Sequence, residues 1–100
     1  MTAPRALARA EAERLMASLH GGWQLAADGR SIRREFAFRD FFHTMSFVNA
    51  LAHIANVEDH HPDLAVGYSY CRVTFTTHSA GGLTGKDFDL ALKADRIPLG

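Results

Sequence analysis

Tyr70-Cys71-Arg72-Val73-Thr74-Phe75-Thr76-Thr77-His78 is the stretch that decides the fold. Cys71, Val73 and Phe75 point one way, and Tyr70, Arg72, Thr74 and Thr76 point the other. Strict alternation of aromatic and β-branched residues with polar ones is the pattern of a strand with one face in the core. Just upstream, Leu64 to Val66 is a short strand and Gly67 permits a turn, so the two runs predict a hairpin. Working outward, Ile32 to Phe38 alternates in the same way, with Ile32, Phe36 and Phe38 opposite Arg33, Glu35 and Ala37. Arg34 interrupts the apolar face, which predicts a position near the sheet edge. Trp23 to Ala26 supplies a fourth strand, followed by the tight-turn signal Asp28-Gly29.

Three helical patterns separate these strands. From Pro4 to Leu19 the positions Leu7, Ala8, Ala12, Leu15, Met16 and Leu19 recur at helical spacing; Pro4 suits a first turn and Gly21-Gly22 stops the helix. Asp40 is a good N-cap for a helix from Phe41 to about Val57. Its apolar stripe (Phe41, Met45, Val48, Ala52 and Ala55, then Phe47, Leu51 and Ile54) is broader than one sheet requires, which suits contact with another subunit. Thr84 with Asp87 three residues on opens the last helix as a capping box, with Phe88, Ala91, Leu92 and Ile97 as its apolar positions and Pro98 beyond it. The order helix, strand, strand, helix, strand, strand, helix predicts an α+β domain. Its four-stranded antiparallel sheet carries three helices on one face, and residues 1–100 form one unit.

Composition narrows the function. One hundred residues, 47% hydrophobic and 22% charged, are those of an ordinary soluble globular chain. Lys+Arg and Asp+Glu balance at 11 each, which demotes nucleic acid as a partner. No apolar run is long enough to span a bilayer. The lone Cys71 rules out an internal disulfide and fits a reducing compartment; on the apolar face of its strand it reads as a core residue. Arg5, Arg9 and Arg14 among alanines imitate a transit peptide, but Glu11 and Glu13 argue against one, so the expectation is a cytoplasmic protein.

The chemistry should lie with the histidines. His60-His61-Pro62 follows a helical pattern, and His78 ends the strongest strand. His61 and His78 are equally far from a midpoint near Ser69, so a hairpin brings them side by side, with Cβ atoms roughly 5 Å apart. Extending the strand parity puts His78 on the side away from Cys71, Val73 and Phe75, facing a cleft. Pro62 biases His61 toward an extended backbone, while Glu58 and Asp59 are placed to orient an imidazole. Three uses fit such a trio: general acid–base catalysis on a neutral organic substrate, a metal site with an open position, and a purely structural loop. His43 and His53 read as ordinary helix residues. Ser79 next to His78 does not make a nucleophile–base pair, and Gly81-Gly82 lacks a phosphate-cradling pattern.

These residues resemble the pterin-4a-carbinolamine dehydratases. The likeness rests on Asp59-His60-His61-Pro62, on Thr77-His78, and on Gly81-Gly82-Leu83-Thr84 leading to Asp87, Leu90 and Ala91. It extends upstream to Gly22-Trp23, Phe36 to Phe38, and Asp40-Phe41 with Phe47. The resemblance implies dehydration of a 4a-hydroxytetrahydropterin to the quinonoid dihydropterin, with neither metal nor cofactor. It implies His60, His61 and His78 as catalytic residues. The implied pterin site draws on Asp59, Pro62 and Thr76 to Ser79 (Thr77 included) beside the histidines, with Asn56 and Trp23 at its margins. The implied partners are a pterin substrate, a second copy in a homodimer or dimer of dimers, and a pterin-dependent hydroxylase in the same pathway. Where the family usually carries Glu, four residues before the first histidine, this chain has Asn56, which can hydrogen-bond but brings no charge. The alternative use of the same fold is a non-catalytic module that binds and steadies a partner's oligomer, as animal members do for a homeodomain transcription factor.

Overall fold

The computed structural model describes residues 5–99. Its elements are α1 (Arg9–Met16), β1 (Gln24–Leu25), β2 (Ile32–Ala37), α2 (Phe41–Glu58), β3 (Asp63–Val66), β4 (Tyr70–Phe75), a 3₁₀ turn over His78–Ala80, and α3 (Gly85–Asp95). The four strands form one antiparallel sheet in the order β1-β2-β4-β3, as the α+β reading required.

Alternation decides which face is covered. Ile32 and Phe36 of β2 and Cys71, Val73 and Phe75 of β4 are buried beneath Phe47 and Leu51 of α2 and Phe88, Ala91 and Ala94 of α3. Phe36 and Phe47 meet at 4.5 Å between ring centroids, and Trp23 packs at 6.1 Å from Phe36 and 6.0 Å from Phe75. Each such side chain contributes about 1.5–3 kcal/mol by leaving water. Burial pushes the Cys71 thiol up to about 11, in keeping with a core residue and not a nucleophile.

The first helix is shorter at both ends than its apolar spacing predicts. The first helix begins at Arg9 because the Glu11 carboxylate accepts from the Ala8 amide at 3.1 Å, and the preceding chain runs extended, with Leu7 N–H donating to the Leu83 carbonyl at 2.7 Å. It ends at Met16 in a tightened turn (Ala17 to Arg14, Ser18 to Leu15), before Gly21-Gly22 is reached. Pro4 lies outside the described residues.

The strand carrying Arg34 lies near the sheet edge, as expected: β1 covers only Ile32 and Arg33, so Arg34 to Ala37 have a strand partner on the β4 side alone. Arg34 can nonetheless sit on the covered face because its guanidinium has partners: Nη1 is 2.6 Å from Asp95 Oδ1 on α3, and the group lies 4.2 Å from the centroid of the Phe36 ring. A paired, stacked arginine can be buried where an unpaired one could not.

The β3–β4 hairpin turns tightly, with Gly67 N–H donating to the Tyr70 carbonyl at 3.0 Å. A Cβ on Gly67 would fall 2.1 Å from the Tyr70 ring, so a larger residue there requires that ring to move. Among the described residues no helix is long and apolar enough to cross a membrane.

Candidate active site

The end of α2 sets the first two histidines. Asp59 adopts the left-handed conformation (φ 51°, ψ 42°), its N–H donating to the Asn56 carbonyl at 3.3 Å and that of His60 to Ala55 at 3.1 Å. This cap reverses the chain. His60 turns inward and His61 outward before Pro62 leads into β3. The third histidine arrives along β4. The ladder pairs Asp63 with Thr74, so continuing it sets His61 opposite Thr76, two residues short of the His78 partner expected from a midpoint near Ser69. The in–out alternation of β4 continues through buried Thr77 to exposed His78, where a 3₁₀ turn begins. The trio converges all the same. Asp59, His60, His61, Thr76, Thr77, His78 and Ser79 line one open cleft of about 240 Å³.

Beneath that cleft lies a buried polar network. His60 Nε2 is 2.6 Å from Asp87 Oδ1, with the two side chains 11% and 0% exposed. The other carboxylate oxygen accepts from Thr77 Oγ1 at 2.7 Å and from the Thr84 N–H at 2.9 Å, and the two threonine hydroxyls are 2.9 Å apart. The imidazole lies nearly parallel to the Phe75 ring, at 6.4 Å and 11°. With Nε2 donating to a carboxylate, the ring is fixed in plane and tautomer, and the negative charge of Asp87 offsets a positive charge on the imidazole whenever the ring is protonated. Among the described residues no buried side-chain polar atom lacks a partner.

Asp87, read from the sequence as a helix cap and as part of the family likeness, is the carboxylate that holds His60. It is cap and holder both, because the third position of α3 aims its carboxylate at the cleft floor. The orienting role expected of Glu58 and Asp59 falls to it instead. Glu58 Oε1 is 2.6 Å from Lys93 Nζ and lines a separate groove with Lys86, Asp89 and Leu90, against the far side of His60. The available signal was an acid on the same helical face as Phe88 and Ala91, a buried face where a carboxylate must have a partner.

The remaining expected residues divide. Thr76 Oγ1 donates to the Arg30 carbonyl at 2.6 Å, which ties the cleft rim to the β1–β2 loop. Asn56 reaches the site through His61, its Oδ1 3.1 Å from Nε2. Pro62 is half-buried and shapes the backbone without joining the cleft wall. Trp23 is core: it is buried, and its Nε1–H donates to Asp95 at 2.9 Å, away from the cleft residues. Among the described residues no three His, Cys, Asp or Glu side chains form a set that could hold a metal ion.

The family model described as pterin 4 alpha carbinolamine dehydratase matches residues 5–97. A relative from Legionella pneumophila (strain Corby), whose name places it among the pterin-4-alpha-carbinolamine dehydratases, is 50% identical over 92 residues, covering 92% of this chain and 81% of its own. One of the same name from Nitrosomonas eutropha is 52% identical over 91 residues, covering 91% and 79%. Among solved structures, a transcriptional coactivator/pterin dehydratase from Brucella melitensis superposes with a TM-score of 0.84 at 36% identity, covering 91% of this chain and 96% of that one. A pterin dehydratase-like RuBisCO assembly factor of the alpha-carboxysome shares the fold (TM-score 0.66, 23% identity, 76% and 88% covered).

Proposed function

The chain belongs to the pterin 4 alpha carbinolamine dehydratase family, and from that premise we propose that it dehydrates a 4a-hydroxytetrahydropterin of the tetrahydrobiopterin type to the quinonoid dihydropterin and water. The observation that carries this reading is the buried His60–Asp87 pair opening on the same cleft as His61 and His78. In the reaction the C4a–O bond breaks as the hydroxyl takes up a proton and leaves as water, while N5 gives up its proton. Net charge is unchanged, so the site needs one imidazole to donate and another to accept. The cleft offers three, held differently: His60 by a carboxylate, His61 by an amide, His78 on an exposed turn. Asp59 and Thr76 to Ser79 would line the pterin, and no metal or cofactor takes part. The product pterin would return, after reduction, to an aromatic-amino-acid hydroxylase, and the whole 100-residue chain acts as one cytoplasmic unit in a homodimer or dimer of dimers. Exposed Phe41, Phe42, Val57 and Tyr68, with the open edge of β3, suit such an assembly.

The test is the dehydration of freshly generated 4a-hydroxytetrahydropterin with chelator present. Wild type should exceed the spontaneous rate. His61→Ala and His78→Ala should each lose turnover on the order of 100-fold while remaining folded by circular dichroism; unchanged turnover in either would remove that histidine from the mechanism.

A second reading, a protein-binding module on the same fold, draws on the same exposed aromatic surface and on the Brucella relative's description as a coactivator. His60→Ala separates the two, because a binder keeps its partner and a dehydratase loses its rate.

A further inference from the structure

His60 and His61 are neighbours in sequence, yet their Nε2 atoms meet groups of different charge. His60 meets a buried carboxylate at 2.6 Å, and His61 an exposed amide at 3.1 Å. The second contact is built by the cap of α2. Asn56 stands in the last turn of that helix, where its own carbonyl accepts from the Asp59 N–H. The left-handed Asp59 then folds the chain back, so that a residue five positions on reaches the Asn56 side chain. A helix continued through Asp59 would have carried His61 onto another face.

We propose that Asn56 is a positioning residue for His61 and not a substrate ligand. Its amide oxygen accepts the Nε2 proton, fixing the neutral imidazole with its lone pair on Nδ1, the nitrogen then left to take a proton from the substrate. Because the amide has no net charge, it orients the ring without favouring the imidazolium as a carboxylate would. The adjacent histidines are thereby made different: His60 is held against an anion, and His61 against an uncharged amide. The inference rests on the dehydratase reading for its catalytic meaning, but the ring geometry is testable without it.

Long-range ¹H–¹⁵N correlation spectra of the full chain report the tautomer of each histidine. Wild-type His61 should be the Nε2–H form. Asn56→Ala should give a mixture of both forms and lower kcat by roughly 2- to 10-fold, the worth of one hydrogen bond, with KM within about twofold. Asn56→Asp should restore the Nε2–H form, and the pH–rate profile should move to higher pH because a carboxylate favours the imidazolium. An Nδ1–H tautomer in wild type, or a spectrum indifferent to Asn56→Ala, would overturn the proposal. The expected spectra with no turnover in wild type would leave the positioning intact and sink the dehydratase reading instead.

Discussion

Two Asp–His pairs in this molecule have the same 2.6 Å separation and both sit at helix N-termini, yet they differ in almost everything that matters for chemistry. Asp40 caps α2 and pairs with His43 Nδ1; the side chains are 38% and 17% exposed, and Arg39 Nη2 lies 2.9 Å from the same ring's Nε2. Asp87 stands in the first turn of α3 and pairs with His60, but it is wholly buried and its second oxygen is also engaged. Water competes for the first pair and screens it. The second lies in a poorer dielectric, where an unmatched charge is costly and a matched one stays in place. Equal distances therefore do not mean equal function. The buried pair can hold an imidazole through a catalytic cycle, whereas the exposed one ends a helix.

The comparison is broken most severely by removing Asp87. Asp87→Ala strands the Thr84 N–H, leaves the Thr77 hydroxyl only its Thr84 partner, and deletes a cap. We expect a loss of about 2–5 kcal/mol, read as a fall in the urea midpoint, together with most of the turnover. Asp40→Ala should shift that midpoint far less. Next comes His60→Ala, which leaves the Asp87 carboxylate buried without its partner and removes the ring from Phe75, at about 1–3 kcal/mol. His43→Ala should cost about 0–1 kcal/mol. If the His43 and His60 variants proved equally destabilised, burial would not be what separates the two pairs.

The same contrast explains how much could be read beforehand. β4 and α2 were legible because their determinants are local: side-chain alternation in one, and the Asp40 cap with a long apolar stripe in the other. The cleft was legible too, since a hairpin must return His78 toward His60 and His61 even with its register two residues off. What failed was long-range polar pairing. Arg34 reads only as a break in the apolar face because its partner Asp95 is 61 positions away, and neighbouring acids stand ready to orient an imidazole when the partner of His60 is 27 positions on. Apolar residues need only a shared face, which periodicity reveals; a buried charge needs one particular partner, which it does not. Trp23 shows the converse error, a residue carried into the site by resemblance when packing and Asp95 hold it in the core. Trp23→Phe should therefore cost about 1.5–3 kcal/mol for the lost hydrogen bond to a carboxylate and leave the KM for pterin unchanged.

The smallest effect sharpens the exposed half of the comparison. The His43 backbone N–H and then its side chain, both bonded to the Asp40 carboxylate, hold its pKa below the ordinary 3.8. A carboxyl whose folded pKa is depressed adds stability that is fully present above its unfolded value and is lost as pH falls through the folded one. Asp40 should thus contribute unchanged at neutral pH and begin to fail only below pH 3.8. Asparagine caps a helix about as well as aspartate but does not titrate. Urea midpoints of wild type and Asp40→Asn should accordingly lie close together at pH 7, and the gap between them should change only in that acidic window, moving in favour of the variant. A gap that instead moved between pH 5 and 7 would show that the dependence does not come from the Asp40 carboxyl, and the exposed pair would then do more than cap the helix.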